Sequence, residues 1–461
     1  MADLFTALSI TARSLDAQRF GMDVTGQNIA NVNTPGYSRR TIDLVSVAPY
    51  EKSSAGSGVD VVGVRALRDR LLDRRLQQEV PAEQREAALA DVLRTVEAAI
   101  GRPGESIDVK LNAFFDAFAK LADNPTSAVA RQEVLLQAGA LTTSFQDMNA
   151  RLRSAQVDAD RQIRGTIDQI NTLTARIAEL NATSARAQAT GGVPTLQDEQ
   201  LYLARQLSEL VDVSVIDHGN GVLDITLSNG KPLVVAENQY ALDVTSTSPY
   251  GYAAILSGGT TVTSQITGGR LGGLLQARDV NIPAYLAQLD TLAYNVATEV
   301  NALHTAGYDE TGVAGGAFFS FSTVLTGSAG AAAALIVDPA VAADARKIAA
   351  AGIADVGDNQ TARGIAGLRD ARVLNSGTAT FTDLWGQLVY TVGRDSKDAQ
   401  DNQLTREQIV RQVDQLRDQV SGVSLDEEAA NLLKFQRAYE ANARFFRACE
   451  DTLDTFFENI S

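Results

Sequence analysis

The C-terminal stretch 425-LDEEAANLLKFQRAYEANARFFRACEDTLDTFFENI-460 decides how this chain folds. Large apolar residues recur in it every seven positions, in a first row formed by Leu425, Leu432, Tyr439, Phe446, Leu453 and Ile460. A companion row, three residues further along, holds Phe435, Asn442, Cys449 and Phe456. This spacing is typical of the buried face of a coiled-coil helix. At about 1.5 Å per residue, such a helix is roughly 54 Å long.

The start of this helix is also predicted. Ser424 and Glu427 have the spacing of a capping box, which places the first turn of the helix just before Leu425. Upstream lies another apolar seam, which is interrupted at Ser421–Gly422 and is formed by Ile409, Val413, Leu416, Val420 and Val423. The sequence therefore predicts a helix, a short break and a second helix.

The N-terminus carries a similar but less regular pattern. Four residues recur at intervals of seven, namely Leu8, Leu15, Met22 and Ile29. They predict a helix of roughly 27 residues, about 40 Å long, which is too short to cover the C-terminal seam. Phe445 and Phe457 widen the apolar face further. We therefore expect the uncovered part to pack against other copies of the chain; the alternative is that each stripe packs within its own domain.

Between the two ends, helical periodicity predicts a helical body. Helices are expected over 67–100, 111–122, 131–180 and 271–304, with Pro81, Gly101–Pro103 and Asn124–Pro125 as helix ends or bends. At residue 211 the apolar period changes to two, and Asn229–Gly230 is a hairpin signal. Residues 211–267 are therefore expected to form a small β insertion. The Gly/Ala-rich stretch 305–345 is expected to be a second, shorter excursion from the body.

The composition excludes several classes of protein. The chain has 461 residues, of which 45% are hydrophobic, and its net charge is −16. The acidic balance argues against binding nucleic acid by counterion release and against docking on anionic lipid. A single cysteine excludes an intramolecular disulfide. Asp3 and Arg13 interrupt any signal-peptide core, and the longest apolar run is too short to span a bilayer. We therefore expect no membrane insertion, and any export to use a route other than general secretion.

Residues that could carry chemistry are few. His218 lies in a turn and His304 near a helix end, where it is expected to favour the helix dipole. The glycines of 268-GGRLGG-273 match neither a dinucleotide fingerprint nor a P-loop. The pair Glu427–Glu428 is expected on a solvated helix surface, and Cys449 in an apolar seam. We expect no catalytic, cofactor-binding or metal-binding residues, although two carboxylates of a glycosidase need only be neighbours in space.

The segment 28-NIANVNTPGYSRR-40 resembles the N-terminal signature shared by flagellar rod, hook and hook-associated proteins. Its local structure can also be predicted directly. The residue before a proline avoids the helical region, and Pro35–Gly36 suits the centre of a type II turn, so the helix must stop there. Tyr37 then begins an extended segment, and 58–61 is its returning strand. The motif residues are Asn28, Asn31, Asn33, Thr34, Pro35, Gly36 and Tyr37.

The segments 421-SGVSLDEEAAN-431 and 435-FQRAYEANA-443 are similar to the matching C-terminal signature of that family. Their sequences are more similar to the hook-associated branch of the family than to the hook protein. Residues 114–180 and 201–215 also resemble the hook-associated branch. The resemblance implies a structural subunit of the flagellum rather than an enzyme. It further implies export by the flagellar type III pathway and a position outside the cell, in a ring of identical copies between hook and filament.

The resemblance also implies a radial arrangement of a mainly α fold with a small β insertion. The terminal helices, 1–32 plus 418–461, would form an inner coiled-coil domain around the central channel. An elongated helical-bundle body, 33–210 plus 268–417, would lie outside it and include a β-hairpin at about 37–64. The β domain, 211–267, would face outward.

The implied partners are other copies of the chain, the hook protein on one side and the next junction protein, toward the filament, on the other. A small export chaperone is expected at the C-terminal helix. Because the partner surfaces of the ends would belong to neighbouring copies, about 1–32 and 424–461 are expected to be largely unfolded in an isolated monomer. The residues expected at the interface are Leu8, Leu15, Met22, Ile29, Leu425, Leu432, Phe435, Tyr439, Phe446, Leu453, Phe456 and Ile460.

Two alternatives stay open at this point. The first is a hook protein or a distal rod protein of the same family, against which the long helical segment 114–180 speaks. The second is a secreted, flagellum-associated hydrolase, which would need a compact catalytic domain with a cleft. Residues 211–267 are few for such a domain.

Overall fold

A computed structural model describes residues 2–48, 57–101, 106–187, 194–219, 221–247, 250–355 and 357–458. Helices dominate it, and the strands form small antiparallel sheets. The predicted fold class, mainly α with a small β insertion, is therefore confirmed.

Most helices and strands lie where the apolar periodicity of the sequence predicts them. In chain order the helices are α1 (Ala2–Ala30), α2 (Arg70–Ile100), α3 (Ile107–Asp123), α4 (Ala128–Ala187), α5 (Pro194–Leu210), α6 (Gly269–Gln276), α7 (Ile282–Ala306), α8 (Ala331–Ala334), α9 (Pro339–Ala343), α10 (Gln360–Gly367), α11 (Phe381–Ser421) and α12 (Leu425–Glu458). The strands are β1 (Arg40–Ser46), β2 (Val59–Ala66), β3 (Val213–Asp217), β4 (Leu223–Leu227), β5 (Pro232–Val235), β6 (Asn238–Gln239), β7 (Leu242–Thr247), β8 (Tyr252–Ser257), β9 (Thr260–Thr261), β10 (Phe319–Phe321) and β11 (Leu335–Val337).

The two ends of the chain pair with each other. Helix α1 packs along α12, and the hairpin β1–β2 packs against α1. Helix α11 ends at Ser421 and α12 begins at Leu425, so the predicted sequence of helix, break and helix is correct. The β-hairpin also lies where the sequence placed it.

The β insertion lies between α5 and α6. It consists of the four-stranded sheet β3-β4-β5-β6 and the three-stranded sheet β7-β8-β9. Alternate residues Leu223, Ile225 and Leu227 are buried, as a period of two requires. Gly230 adopts a positive φ of 82° in the turn between β4 and β5, in agreement with the Asn-Gly hairpin signal.

A buried ion pair fixes this insertion to the body. Asp160 on α4 accepts hydrogen bonds from the Ala253 amide (2.7 Å) and the Arg278 guanidinium (2.6 Å), and Arg278 also donates to the Ala253 carbonyl oxygen (2.9 Å). Burial alone would raise the pKa of Asp160, but these hydrogen bonds and one from Arg164 outweigh it and lower the pKa. The carboxylate therefore stays charged and holds strand β8 against α4.

The body has a large apolar core, in which α2, α3, α4, α7 and α11 take part and which continues into the β insertion. Helix α2 continues through Pro81, so this proline does not end the helix predicted over 67–100. One sequence-based expectation is wrong here. The stretch 305–345 is no excursion from the body, because Phe318 and Phe319 are fully buried and contact the Phe114 ring at a tilted angle.

His304, at the end of α7, is buried in this core instead of meeting solvent at a helix dipole. Its Nε2 accepts a hydrogen bond from the Ala349 amide (2.9 Å), so its Nδ1 carries the proton and donates to the Gly316 carbonyl oxygen (2.7 Å). Burial lowers the pKa of His304, and the nearby cation of Arg131 acts in the same direction. The imidazole is therefore neutral, and the expectation of a dipole interaction was wrong.

This neutral histidine should make the fold sensitive to acid. The pKa of His304 is lower in the folded chain than the usual 6.5. Its contribution to stability is therefore complete above about pH 6.5 and is lost as the pH falls through the folded-state pKa. The nearby carboxylates Asp309 and Asp338 only partly oppose this. We expect the free energy of unfolding, measured by urea titration between pH 7 and pH 5, to fall less steeply in His304→Gln than in the wild type.

The control for this prediction is the other histidine. His218 is half-exposed and lies 2.8 Å from Asp224, away from the core. His218→Gln should keep the acid sensitivity of the wild type. An equal loss of sensitivity in both variants would contradict the assignment to His304.

Candidate assembly site at the terminal helices

The contact between α1 and α12 is made by small residues on α1 and large residues on α12. Ala17, Val24 and Asn28 are buried on α1, and Gly21 lies between them. A Cβ at Gly21 would come within 2.7 Å of the Phe435 ring, so Phe435 lies directly over this glycine. The spacing of four, three and four residues is that of a coiled-coil seam.

The predicted interface residues divide into three groups. Half-buried residues are Leu8, Leu15, Met22, Ile29, Leu432, Phe435, Phe446 and Leu453. Exposed residues are Leu425, Tyr439 and Phe456, and Ile460 lies outside the described residues. Cys449 is buried, as expected. The row chosen on α1 was therefore offset from the seam, because alanine and glycine did not count as apolar signals.

Large apolar side chains flank the seam of α12 and stay exposed in the single chain. These apolar flanks of α12 are formed by Leu425, Leu433, Tyr439, Phe445 and Phe456. Tyr439 keeps 38% of its surface accessible. On α1, Phe5 and Phe20 are exposed in the same way. One N-terminal helix therefore hides only part of the apolar surface of its partner, as its shorter length suggested.

A buried polar cluster joins the two terminal helices to the chain that follows α1. Asn28, in the last turn of α1, is 1% exposed. Its Nδ2 donates to the Arg40 carbonyl oxygen and to Glu428 Oε2, both at 2.9 Å. Its Oδ1 accepts from the Arg40 amide (3.0 Å) and from the Tyr37 hydroxyl (2.9 Å). One amide side chain thus bridges α1, β1 and α12; we call this cluster the polar clamp.

Glu428 supplies the charge of the polar clamp. Its side chain is 2% exposed, so the expectation of a solvated acid pair was wrong for this residue. Arg39 Nε donates to Glu428 Oε1 (2.8 Å), while another nitrogen of the same guanidinium reaches the exposed Glu427 (2.6 Å). The Arg39 amide also donates to the Ser421 carbonyl oxygen (2.9 Å). A buried carboxylate requires such partners, because an unpaired one would be strongly destabilising.

A second ion pair connects the polar clamp to the body. The Arg40 guanidinium donates to Asp198 on α5 (2.9 Å), and Arg68 donates to the same carboxylate. Arg40 also lies over the Tyr37 ring, 4.9 Å from its centroid. Burial raises the pKa of the Tyr37 hydroxyl, which therefore stays protonated and able to donate to Asn28.

The turn after α1 closes the polar clamp. Gly36 adopts a φ of 79°, and a Cβ there would come within 2.8 Å of Tyr202 Cβ, so both its backbone conformation and the available space require glycine. Asn33, Thr34 and Pro35 lie at the surface, and the Asn31 side chain bonds only within this region, to the Gln27 carbonyl oxygen and the Thr34 hydroxyl. Within the motif, Asn28, Gly36 and Tyr37 therefore hold the structure together.

The described residues meet the requirements of neither a metal site nor a membrane span. In the described part of the chain, no group of histidines, cysteines and acids could hold a metal ion. No described helix is both long and apolar enough to cross a bilayer. The glycines of 268–273 serve close packing, since a Cβ at Gly273 would lie 2.2 Å from the Arg85 carbonyl oxygen.

Comparisons with known proteins agree with these features. The family model described as "Flagellar hook-associated protein FlgK helical domain" matches residues 93–319. The models "Flagella basal body rod protein" and "Flagellar basal body rod FlgEFG protein C-terminal" match 8–37 and 415–457. These matches cover most of the body and both terminal helices.

Curated relatives match over nearly the whole chain. Flagellar hook-associated protein 1 of Bacillus subtilis (strain 168) is 25% identical, with 98% of each chain covered. Flagellar hook-associated protein 1 of Escherichia coli (strain K12) is 23% identical over 95% of this chain and 97% of its own. The solved structure of the flagellar hook junction protein FlgK from Burkholderia pseudomallei has the same fold: the TM-score is 0.68 at 17% identity, over 75% of this chain and all of that one.

Proposed function

The chain belongs to the family of flagellar hook-associated protein 1, and on that premise we propose that copies of it form the junction layer between hook and filament. Members of this family are exported structural components of the bacterial flagellum, so the protein is an axial subunit and not an enzyme. The hydrolase alternative is thereby excluded. The hook or rod alternative is disfavoured, because the curated relatives that match nearly the whole chain bear the name hook-associated protein 1.

The observation that supports side-by-side packing is the exposure of the apolar flanks of α12. Burying a large apolar side chain completely contributes about 1.5–3 kcal/mol, so covering the exposed half of each contributes about 1 kcal/mol. Five such residues on one helix are a strong driving force for association. A patch of this kind on a subunit that repeats around an axis is best covered by neighbouring copies.

We propose that the chain works in three parts. Residues 1–32 plus 418–461 form the inner part, 33–210 plus 268–417 the body, and 211–267 the outward β domain. The pairing of α1 with α12 supports the first part, and the mutual packing of α2, α3, α4, α7 and α11 supports the second. The neighbours along the axis would be the hook protein on one side and the next junction protein on the other. Before assembly, the apolar flanks of α12 would bind a small export chaperone during flagellar type III export.

A deletion strain tests the proposed function. Cells that lack this protein should build hooks but no filaments, and they should release filament subunits into the medium. Electron microscopy and analysis of culture supernatants measure both outcomes. As a control, a plasmid that carries the wild-type gene should restore the filaments. Normal filaments in the deletion strain would overturn the proposal.

The ends should be locally unstable in a monomer, even though the structure shows them as paired helices. They contact the body through the β1–β2 hairpin and the polar clamp, and the apolar flanks of α12 lack a cover. We therefore expect limited proteolysis of a verified monomer to trim about 1–32 and 424–461 first, leaving the body intact. Assembled flagella should protect the same sites. Full protection in the monomer would show that α1 and α12 complete each other without neighbours.

A further inference from the structure

An exposed tyrosine protrudes from the body on helix α11. Tyr390 is 68% exposed and Val389 beside it is also exposed. Gly386 and Gly393 lie one turn before and after it, and a Cβ at either would meet nothing within 4 Å. The ring therefore stands out from a flat surface. A single exposed aromatic residue is common, so its meaning depends on whether the chain carries a matching recess.

Such a recess lies between α3 and α4. It has a volume of about 590 Å³, and small residues of α4 line it, including Gly139, Ala140 and Thr143. Leu136 forms part of its wall and is 62% exposed. Asp147 at its edge has no ion-pair partner within the part of the chain that the structure describes. The recess thus combines an uncovered apolar wall with a hydrogen-bond acceptor, which suits a tyrosine side chain.

The tyrosine and the recess lie on helices that are separated by others. Helices α2, α3 and α7 each pack against both α11 and α4, whereas α11 and α4 share at most a marginal contact in the described ranges. Because Tyr390 is exposed, it does not occupy the recess of its own chain. A contact between the two features therefore needs a second copy of the chain.

The two features also lie at a similar height along the body. Helix α11 runs antiparallel to α2, because Val413 packs on Leu76 and Arg406 pairs with Glu79. Tyr390 precedes Val413 by 23 residues, which places it level with about Ala99 of α2 at equal rise per residue. The Ala99 carbonyl oxygen accepts a hydrogen bond from Arg151 (3.3 Å), and Arg151 lies on the rim of the recess.

We infer that Tyr390 of one copy inserts into the α3–α4 recess of the next copy in the layer. The tyrosine ring covers Leu136 and the small residues of α4, and its hydroxyl donates to Asp147. Because Tyr390 and the recess are different surfaces of the chain, the contact is head-to-tail. It can repeat around the axis until the layer closes into a ring or continues as a helix. The inference rests on the proposed function and adds a second lateral contact, in the body, to that of the terminal helices.

Cross-linking in assembled flagella tests this contact. The double variant Tyr390→Cys, Thr143→Cys carries one thiol at the knob and one in the recess; the native Cys449 is buried. A short bis-maleimide should then give a ladder of covalent dimers and higher oligomers of this chain. The single variants Tyr390→Cys and Thr143→Cys are the controls and should give no ladder. A product with the mass of a different partner would overturn the inference, since another protein would then occupy the recess.

Two further measurements separate this inference from the proposed function. Tyr390→Ala should keep the melting temperature of the wild-type subunit, because the side chain is exposed, while the self-association of purified subunits weakens at least about tenfold, as for other interface tyrosines. If cells with the double variant made normal filaments that contained the variant, but cross-linking gave no ladder, only the recess contact would be wrong. Absence of the chain from purified wild-type flagella would sink both.

Discussion

Replacing Tyr439 by aspartate is expected to give cells that build hooks but no filaments and that release filament subunits into the medium. Tyr439 lies in the apolar flanks of α12 and keeps 38% of its surface exposed in the single chain. An aspartate there would meet water in the free subunit, so the fold should tolerate it. In the layer the same carboxylate would be buried against a neighbour without a partner.

The size of this effect follows from the cost of burying a charge. An uncompensated buried charge destabilises by about 3–5 kcal/mol, and that penalty would recur at every lateral contact in the layer. A loss of this size weakens each contact at least ~100-fold. The isolated subunit, in contrast, should melt within about 2 °C of the wild type, because a surface substitution changes stability little.

The matched control changes the net charge by the same amount on the opposite face of the helix. Arg437 is exposed and, two residues before Tyr439, points to the other side of α12, so Arg437→Gln should leave filaments normal. Tyr439→Phe keeps the ring and should also assemble. If Tyr439→Asp cells made normal filaments, Tyr439 could not lie between subunits.

The fold could be predicted mainly where one face of an element is buried. The seven-residue rows of α12 correctly predict a long helix, and the alternation of β4 correctly predicts a buried face. The core position of Phe318 and Phe319 has no such local sign. It arises because these rings contact Phe114, about two hundred residues earlier, and adjacent phenylalanines in a Gly/Ala-rich stretch show no period. Pro81 lies inside α2, within the helix that the periodicity predicts over 67–100.

The site could be predicted only in part, for a similar reason. Asn28 and Gly36 belong to a recognisable motif, and the turn that Gly36 makes follows from the local sequence. The partner of Asn28 does not, because Glu428 lies 400 residues away. In the first turn of its helix Glu428 is one acid among three, and its contacts with Asn28 and Arg39 come from the other end of the chain. The seam of α1 was missed because Ala17 and Gly21 act through their small size, which hydrophobic periodicity does not register.

The second large effect is expected when Asn28 is replaced by aspartate. The side chain keeps its shape, but Nδ2 becomes an oxygen that cannot donate to the Arg40 carbonyl group. It also places a second carboxylate 2.9 Å from Glu428 Oε2, inside a buried cluster. Loss of these donors and the new repulsion together should lower the free energy of local unfolding of α1 and α12 by about 3 kcal/mol.

Hydrogen exchange measures this effect directly. Backbone amides of α1 and α12 should exchange about 100-fold faster in Asn28→Asp, while amides of the body core keep their protection. Gln27→Asp adds the same charge one residue away on the exposed face of α1, and it should leave exchange unchanged. Equal effects of both substitutions would mean that charge on α1, and not the polar clamp, controls the terminal pair.

The pH dependence of Asn28→Asp adds a sharper test. Two carboxylates that share a buried site raise the pKa of one of them, so that one takes up a proton more readily than usual. Once protonated, the introduced aspartate regains a donor toward Glu428, and the repulsion is relieved. The folded-state pKa of this pair is then above the unfolded value, so stability recovers as the pH falls through it. The excess exchange of α1 and α12 should therefore shrink between pH 7 and pH 5, whereas a defect of packing alone would persist across that range.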